Sequence, residues 1–192
     1  MSHVLSRTGW MRLVLVIAVA GLTASCARKR ADPTEAVFAD FAKRVDDYVA
    51  IHKAVADSVG VLDETANQQQ IADRATRLGQ GITGKRANAK PGDLITTETA
   101  TVFATLIEQE YGRRQPSVRD SREDAQEELP DFEPHVNQLY PTTYPLATFP
   151  ATLLRVLPQL PPELEYRIVS HYLILRDIES NLIVDVMPNA VP

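Results

Sequence analysis

Cysteine is nearly absent: 192 residues contain one, Cys26. No disulfide can form within the chain, and no thiolate set for zinc exists. Glycine is also sparse, with 8 residues. Gly79, Gly81 and Gly84 lack a preceding strand and fit neither the dinucleotide nor the P-loop spacing, so they make no phosphate cradle. A basic excess is missing. All 25 acidic residues follow position 25, while two of the 20 basic ones, Arg7 and Arg12, precede it. The rest of the chain therefore carries 18 basic against 25 acidic groups. Nucleic-acid binding by counterion release needs the opposite balance, so no nucleic-acid partner is expected. Apolar runs never approach the ~20 residues that a membrane-spanning helix needs. His52, His135 and His171 are far apart and lack metal-ligand spacing. No Gly-x-Ser-x-Gly elbow is present. The adjacent carboxylates Asp46-Asp47 point in different directions on a helix, and Glu127-Glu128 fall in a charged loop. No metal, cofactor or catalytic constellation is expected.

The first positions have a clear pattern. Arg7 and Arg12 precede the apolar run Leu13–Leu22, and the small residues Thr23-Ala24-Ser25 close it before Cys26. Basic start, short apolar stretch and small-residue end are the three parts of a secretory signal, here residues 1–25. Leu22-Thr-Ala-Ser-Cys26 resembles the bacterial lipobox, with Thr23 departing from the Leu usual at that position. The resemblance implies acylation of Cys26, a tether over 26–32, and an exported lipoprotein held at the cell membrane or outer membrane. Two or more acyl chains anchor stably, and Arg28-Lys29-Arg30 would add attraction to anionic headgroups. The alternative is cleavage nearby, which would discard Cys26 and leave a soluble periplasmic or secreted protein.

About 165 residues then remain, enough for one domain with a core of its own. Asp32-Pro33-Thr34-Glu35 reads as a helix start, with a capping side chain and Pro at the first helical position. Apolar residues recur at three- and four-residue steps from Val37 to Val59, which predicts a helix over 33–59 ended by Gly60. His52 lies on that stripe as a packing residue. Asp63 is expected to cap a second helix from about 64, with Ala66, Ile71, Ala75 and Leu78 inward and a weak glycine-rich end. Lys90-Pro-Gly-Asp93 reads as a turn. Thr96-Thr-Glu98 opens a third helix that Gly112 ends. Residues 113–131 read as a charged, solvated loop. Most of the 13 prolines fall within 130–162; they forbid long helices and central strands, so 132–162 is expected to wrap the core with one short helix near Ala151–Leu157.

Residues 163–187 hold three β-rich stretches separated by short breaks. If Ser170-His171 is a two-residue hairpin loop, Ile168 faces Leu173, Tyr166 faces Leu175, and Glu165 faces Arg176. If Asp177–Ser180 is a four-residue loop, Leu175 faces Leu182 and Leu173 faces Val184. Leu164, Tyr166, Ile168, Leu173, Leu175, Leu182, Val184 and Val186 then form an inner face for the helices. Val169, Tyr172, Ile174 and Ile183 fall on the outer face and are too apolar for open solvent. Either the Pro-rich segment covers them or a partner does. Ser-His is not a favoured hairpin turn.

The segments Glu163-Leu-Glu-Tyr-Arg167, Leu173-Ile-Leu-Arg-Asp177, Asn181-Leu-Ile-Val-Asp185 and Met187-Pro-Asn-Ala190 are similar to the ending of a group of uncharacterised bacterial exported proteins. So are Val136-Asn137-Gln-Leu-Tyr140-Pro141 and the turn Lys90-Pro-Gly92-Asp93. The resemblance supports export and an intact domain, and it implies no catalytic residues. The expected fold is α+β: a layer of about three helices packed on a C-terminal three-stranded antiparallel meander. The expected function is a non-enzymatic interaction or structural lipoprotein with an envelope protein as partner. Its alternative is a small-ligand binder or hydrolase, with a pocket between the helices and the Pro-rich segment lined by Asn137, Tyr140 or Arg176. Asn137, Tyr140, His171, Arg176, Asp177 and Asp185 are the polar residues of interest, each read first as structural.

Overall fold

A computed structural model describes residues 32–62, 67–113, 132–145 and 148–191. Residues 1–25, Cys26 and most of the charged loop lie outside the described residues. The described chain is α+β: α1 Pro33–Val59, α2 Gln68–Lys85, α3 Thr97–Gly112 and the short α4 Ala151–Leu154 precede β1 Leu164–Val169, β2 Tyr172–Asp177 and β3 Leu182–Met187. The strands form an antiparallel meander in the order β1-β2-β3.

Helix α1 begins where its capping residues require. The Asp32 carboxylate accepts the Thr34 N–H at 2.9 Å, with Pro33 in the first turn. Its buried side, Phe41, Val45, Tyr48, Val49, His52 and Val55, is the expected stripe. The second helix differs from expectation. Its N-cap is Asn67, not Asp63: Asn67 and Gln70 exchange side-chain-to-backbone bonds at 2.8 and 3.1 Å in a capping box. Ile71, expected inward, is 53% exposed. The helix also runs through its glycines to Lys85. Gly81 explains why: a Cβ there would lie 2.4 Å from Cγ1 of buried Val55, so the glycine lets α2 approach α1. Helix α3 starts after Thr96 and ends at Gly112, as its sequence signals predict. α4 stops at Leu154, short of Leu157, within the Pro150–Pro158 interval.

The first hairpin has the expected register, with Glu165 opposite Arg176, Tyr166 opposite Leu175, and Ile168 opposite Leu173. Ser170 takes a left-handed φ of 51° to make the two-residue turn, a conformation Gly or Asn adopts more cheaply. The second register is a correction. Leu173 pairs with Met187, Leu175 with Asp185, Arg176 with Ile183, and Asp177 with Leu182. The loop is Ile178–Asn181, closed by Asn181 at φ 56°, and Val184 is an extra residue in β3. An inserted residue breaks strict alternation beyond it. Hence Val186, expected inside, joins the outer cluster, and Asp185 turns into the core.

Both sheet faces are covered. The inner face packs with Phe41, Tyr48, Leu78, Ile82, Phe103, Ile107 and Leu153. On the outer face Val169, Ile174 and Ile183 are fully buried, with Tyr140 and Tyr144 packed over them and Phe132, Val136 and Tyr172 at the margin. The Pro-rich segment is therefore the cover: Val169, Ile174 and Ile183 are closed off beneath it, while Tyr172 stays partly exposed. Its backbone also closes one sheet edge: Asn137 N–H donates to Ile183 at 2.8 Å, Gln138 accepts from Ile183 at 2.8 Å, and Tyr140 N–H donates to Asn181 at 2.8 Å.

The α1–α2 contact can be tested. Gly81→Ala is expected to lower stability by about 1–2 kcal/mol, because overpacking outweighs the ~1 kcal/mol gain in helix propensity. Adding Val55→Ala should recover part of that loss, giving a favourable coupling in a double-mutant cycle read by thermal denaturation.

Candidate functional site

Two features outside ordinary core packing stand out. The first is a polar cluster at the end of β2. Asp177 is fully buried. Its Oδ2 accepts the Tyr48 O–H at 2.7 Å and lies 2.6 Å from Nδ1 of His52. Its Oδ1 accepts the Ser180 N–H at 2.8 Å and so caps the β2–β3 loop, a structural role of the kind expected for it. Nε2 of His52 is 3.2 Å from the Glu179 carboxylate, which also pairs with Arg74, and Arg74 donates to the Gly60 carbonyl at 2.8 Å. The Arg86 guanidinium stacks over the Tyr48 ring, 5.1 Å from its centre, and donates twice to the Val184 carbonyl at 3.2 Å.

Burial opposes ionisation of Asp177, but the His52, Ser180 and Tyr48 donors outweigh it and hold the pKa below its ordinary value of 3.8. Burial and the Asp177 charge push the Tyr48 phenol far above its usual value, so it stays a donor. An Asp–His pair serves nucleophilic catalysis when the second ring nitrogen faces a hydroxyl or thiol. Here Nε2 faces Glu179, which is no such nucleophile. The cluster instead fastens α1 and α2 to the β2–β3 turn. His52 is thus more than packing; only its place on the apolar stripe was visible in sequence, since Asp177 lies 125 residues away.

Asp185 has a related role. Its oxygens accept four backbone N–H groups, from Gly92 at 2.9 Å, Leu94 and Ile95 at 2.7 Å each, and Val186 at 2.8 Å. Burial pushes its pKa up while these donors pull against that shift. The Lys90–Asp93 turn, with Gly92 at φ 90°, is thereby held to the sheet. Asn137 donates to the Arg86 carbonyl at 2.9 Å, and the Tyr140 O–H donates to Pro145 at 3.0 Å. Arg176 pairs with Glu165 and lies over the Tyr140 ring. His171 is an exposed turn residue. These polar residues support the fold and do not converge on one cavity.

The second feature is a cleft of about 770 Å³, lined by Thr148, Phe149, Leu154, Pro158, Gln159, Leu160 and β1 residues Leu164–Arg167. Asn137, Tyr140 and Arg176 do not line this cleft. It borders the other sheet edge. In the first hairpin Val169 and Tyr172 flank the loop, and Ile178 N–H donates to Glu163 at 2.9 Å, so the odd residues of β1 bond to β2. The even residues point their backbone groups outward. Leu164 N–H is taken by Pro161 at 3.1 Å. Among the described residues nothing bonds to the N–H or C=O of Tyr166 or Ile168. Tyr166 stacks on Phe149, ring centres 5.7 Å apart, and donates its O–H to Pro158 at 3.0 Å.

No protein-family model, curated protein or solved structure matches the chain. Among the described residues, no group of three or more His, Asp, Glu or Cys could hold a metal ion, and no helix is long and apolar enough to cross a membrane.

Asp177→Asn removes a charge from donors that stay buried, and is expected to cost about 3 kcal/mol in urea denaturation. The pH sign follows from the depressed pKa. The contribution of Asp177 is complete above the unfolded value near 3.8 and is lost as pH falls through the lower folded value. The stability gap between wild type and Asp177→Asn should therefore narrow only below about pH 4.

Proposed function

We propose that the chain is a non-enzymatic interaction module of the cell envelope, tethered to a membrane through lipidated Cys26. The observation that carries the interaction reading is the β1 edge beside the 770 Å³ cleft, where the outward backbone groups of Tyr166 and Ile168 have no partner among the described residues. An exposed edge is a template for an extended segment, and main-chain bonds supply affinity while a flanking groove supplies selectivity. The apolar outer face does not serve this role, since Tyr140 and Tyr144 cover it. Support for the tether comes from Leu22-Thr-Ala-Ser-Cys26 and the basic triplet Arg28-Lys29-Arg30. A second reading, a small-ligand binder, draws on the size of the cleft and on Phe149, Leu154, Leu160 and Tyr166 in its walls.

Ile168→Pro separates these readings. It removes an outward N–H without breaking the bonds to β2, a change edge strands tolerate. Crosslinking of the full chain in cells should lose its captured protein while far-UV circular dichroism stays native-like. Capture that survives this substitution would overturn the edge reading. Thermal stabilisation by small apolar ligands in both wild type and Ile168→Pro would favour the second. For the anchor, Cys26→Ala is expected to abolish fatty-acid labelling and release the chain from membranes. An unlabelled wild type would instead mean a soluble exported protein.

A further inference from the structure

The 770 Å³ cleft has two unlike sides. Successive strand residues point to opposite faces, so β1 gives it Leu164 and Tyr166 on one side and Glu165 and Arg167 on the other. This stretch of β1 runs for about 10 Å at ~3.3 Å per residue. Leu164 and Tyr166 are buried, whereas Thr148, Gln159 and Leu154, the last 56% exposed, give the cleft solvent-facing walls. The apolar side is mainly aliphatic, from Leu154, Pro158, Leu160 and Leu164. Its two rings, Phe149 and Tyr166, are stacked on each other, and Pro158 takes the Tyr166 O–H. That side therefore offers contact area and no side-chain hydrogen bond.

The other side is charged. Glu165 accepts from Arg167 at 2.6 Å and from Arg176 at 2.5 Å. Burial opposes ionisation of Glu165, but these two donors outweigh it and hold its pKa below the ordinary value of 4.5. Two guanidiniums share one carboxylate, so these three groups sum to one positive charge. We propose that the cleft binds a single alkyl chain ending in an anionic group. The chain lies against Leu154, Leu160, Leu164 and Tyr166, and the head group meets Arg167. This deepens the small-ligand reading of the cleft and rests on it, and it needs no access to the β1 backbone. The volume is ordinary for a site that takes one small molecule, since such pockets run from about 300 to 1,000 Å³. A carboxylate and a phosphate both satisfy the head-group chemistry, so the source is a free fatty acid or a phosphate-bearing lipid.

The test uses the full chain with Cys26→Ala, which carries no acyl group of its own and is kept free of detergent. It is titrated by calorimetry with saturated fatty acids of increasing length, each below its micelle concentration. One ligand per chain is expected, with affinity rising about fourfold per buried methylene and levelling once the alkyl chain outgrows the cleft. Leu154→Glu, at an exposed position, puts a charge in the apolar wall and should weaken every fatty acid about tenfold or more. Arg167→Gln separates head group from chain. The parent should prefer dodecanoate over dodecanol about tenfold, as a charge-assisted bond implies, and the variant should lose that preference while its dodecanol affinity stays. Circular dichroism checks both variants, and if Arg167→Gln does not fold, Leu154→Glu decides. Dodecyl phosphate identifies the source: tighter binding than dodecanoate points to a lipid head group, and weaker binding to a free fatty acid. Uptake without a one-to-one end point overturns the proposal, and so does a Leu154→Glu chain that binds as the parent does. One-to-one binding of naphthalene with no binding of fatty acids refutes the alkyl ligand and keeps the small-ligand reading. If neither binds, both fall.

Discussion

A carboxylate without solvent has to be met by donors, and Asp177 is met by three: Tyr48, His52 and the Ser180 N–H. Two of these belong to α1. That helix cannot shift along the sheet without leaving a buried charge unpaired, which costs more than an ordinary packing defect. Arg86 rests on the same Tyr48 ring and reaches Val184, so the end of α2 is held in the same arrangement. Hydrophobic burial supplies the bulk of the stability, but it is non-directional. The Asp177 cluster gives the helical layer its position on the meander.

Asp185 gives the second constraint. The extra residue at Val184 breaks the alternation of β3 and turns the Asp185 side chain inward, where it takes four backbone N–H groups. The Val184 carbonyl accepts from Arg86. One inserted residue thus ties the Lys90–Asp93 turn, the end of α2 and the sheet together. Such bulges commonly re-aim a side chain in this way.

The meander itself is too small to leave an apolar face wet. Its inner face takes the helices, and its outer face takes Phe132, Val136, Tyr140 and Tyr144. The same segment pairs with β3 and closes that edge. The opposite edge is β1, where Glu165 and Arg167 alternate with Leu164, Tyr166 and Ile168.

Periodicity and capping chemistry, both local, were enough to bound α1 and α3, the first hairpin and the turn at Lys90, because the signals lie within a few residues of the elements they define. The start of α2 was missed because Asp63 and Asn67 are both able to cap, and only Asn67 has Gln70 to complete the box. The β2–β3 register was missed because a bulge leaves no mark in a nearly continuous apolar stretch such as Leu182–Met187, where shifted pairings still match apolar with apolar. Tertiary structure decided everything that depends on distant pairs: the His52–Asp177 contact, the four donors to Asp185, the Gly81–Val55 approach, and which of two candidate covers lies on Ile174. Sequence determined the elements because local propensity is a property of neighbours; the cover on each sheet face and the cleft beside β1 were decided by packing, because both are built from residues distant in the chain.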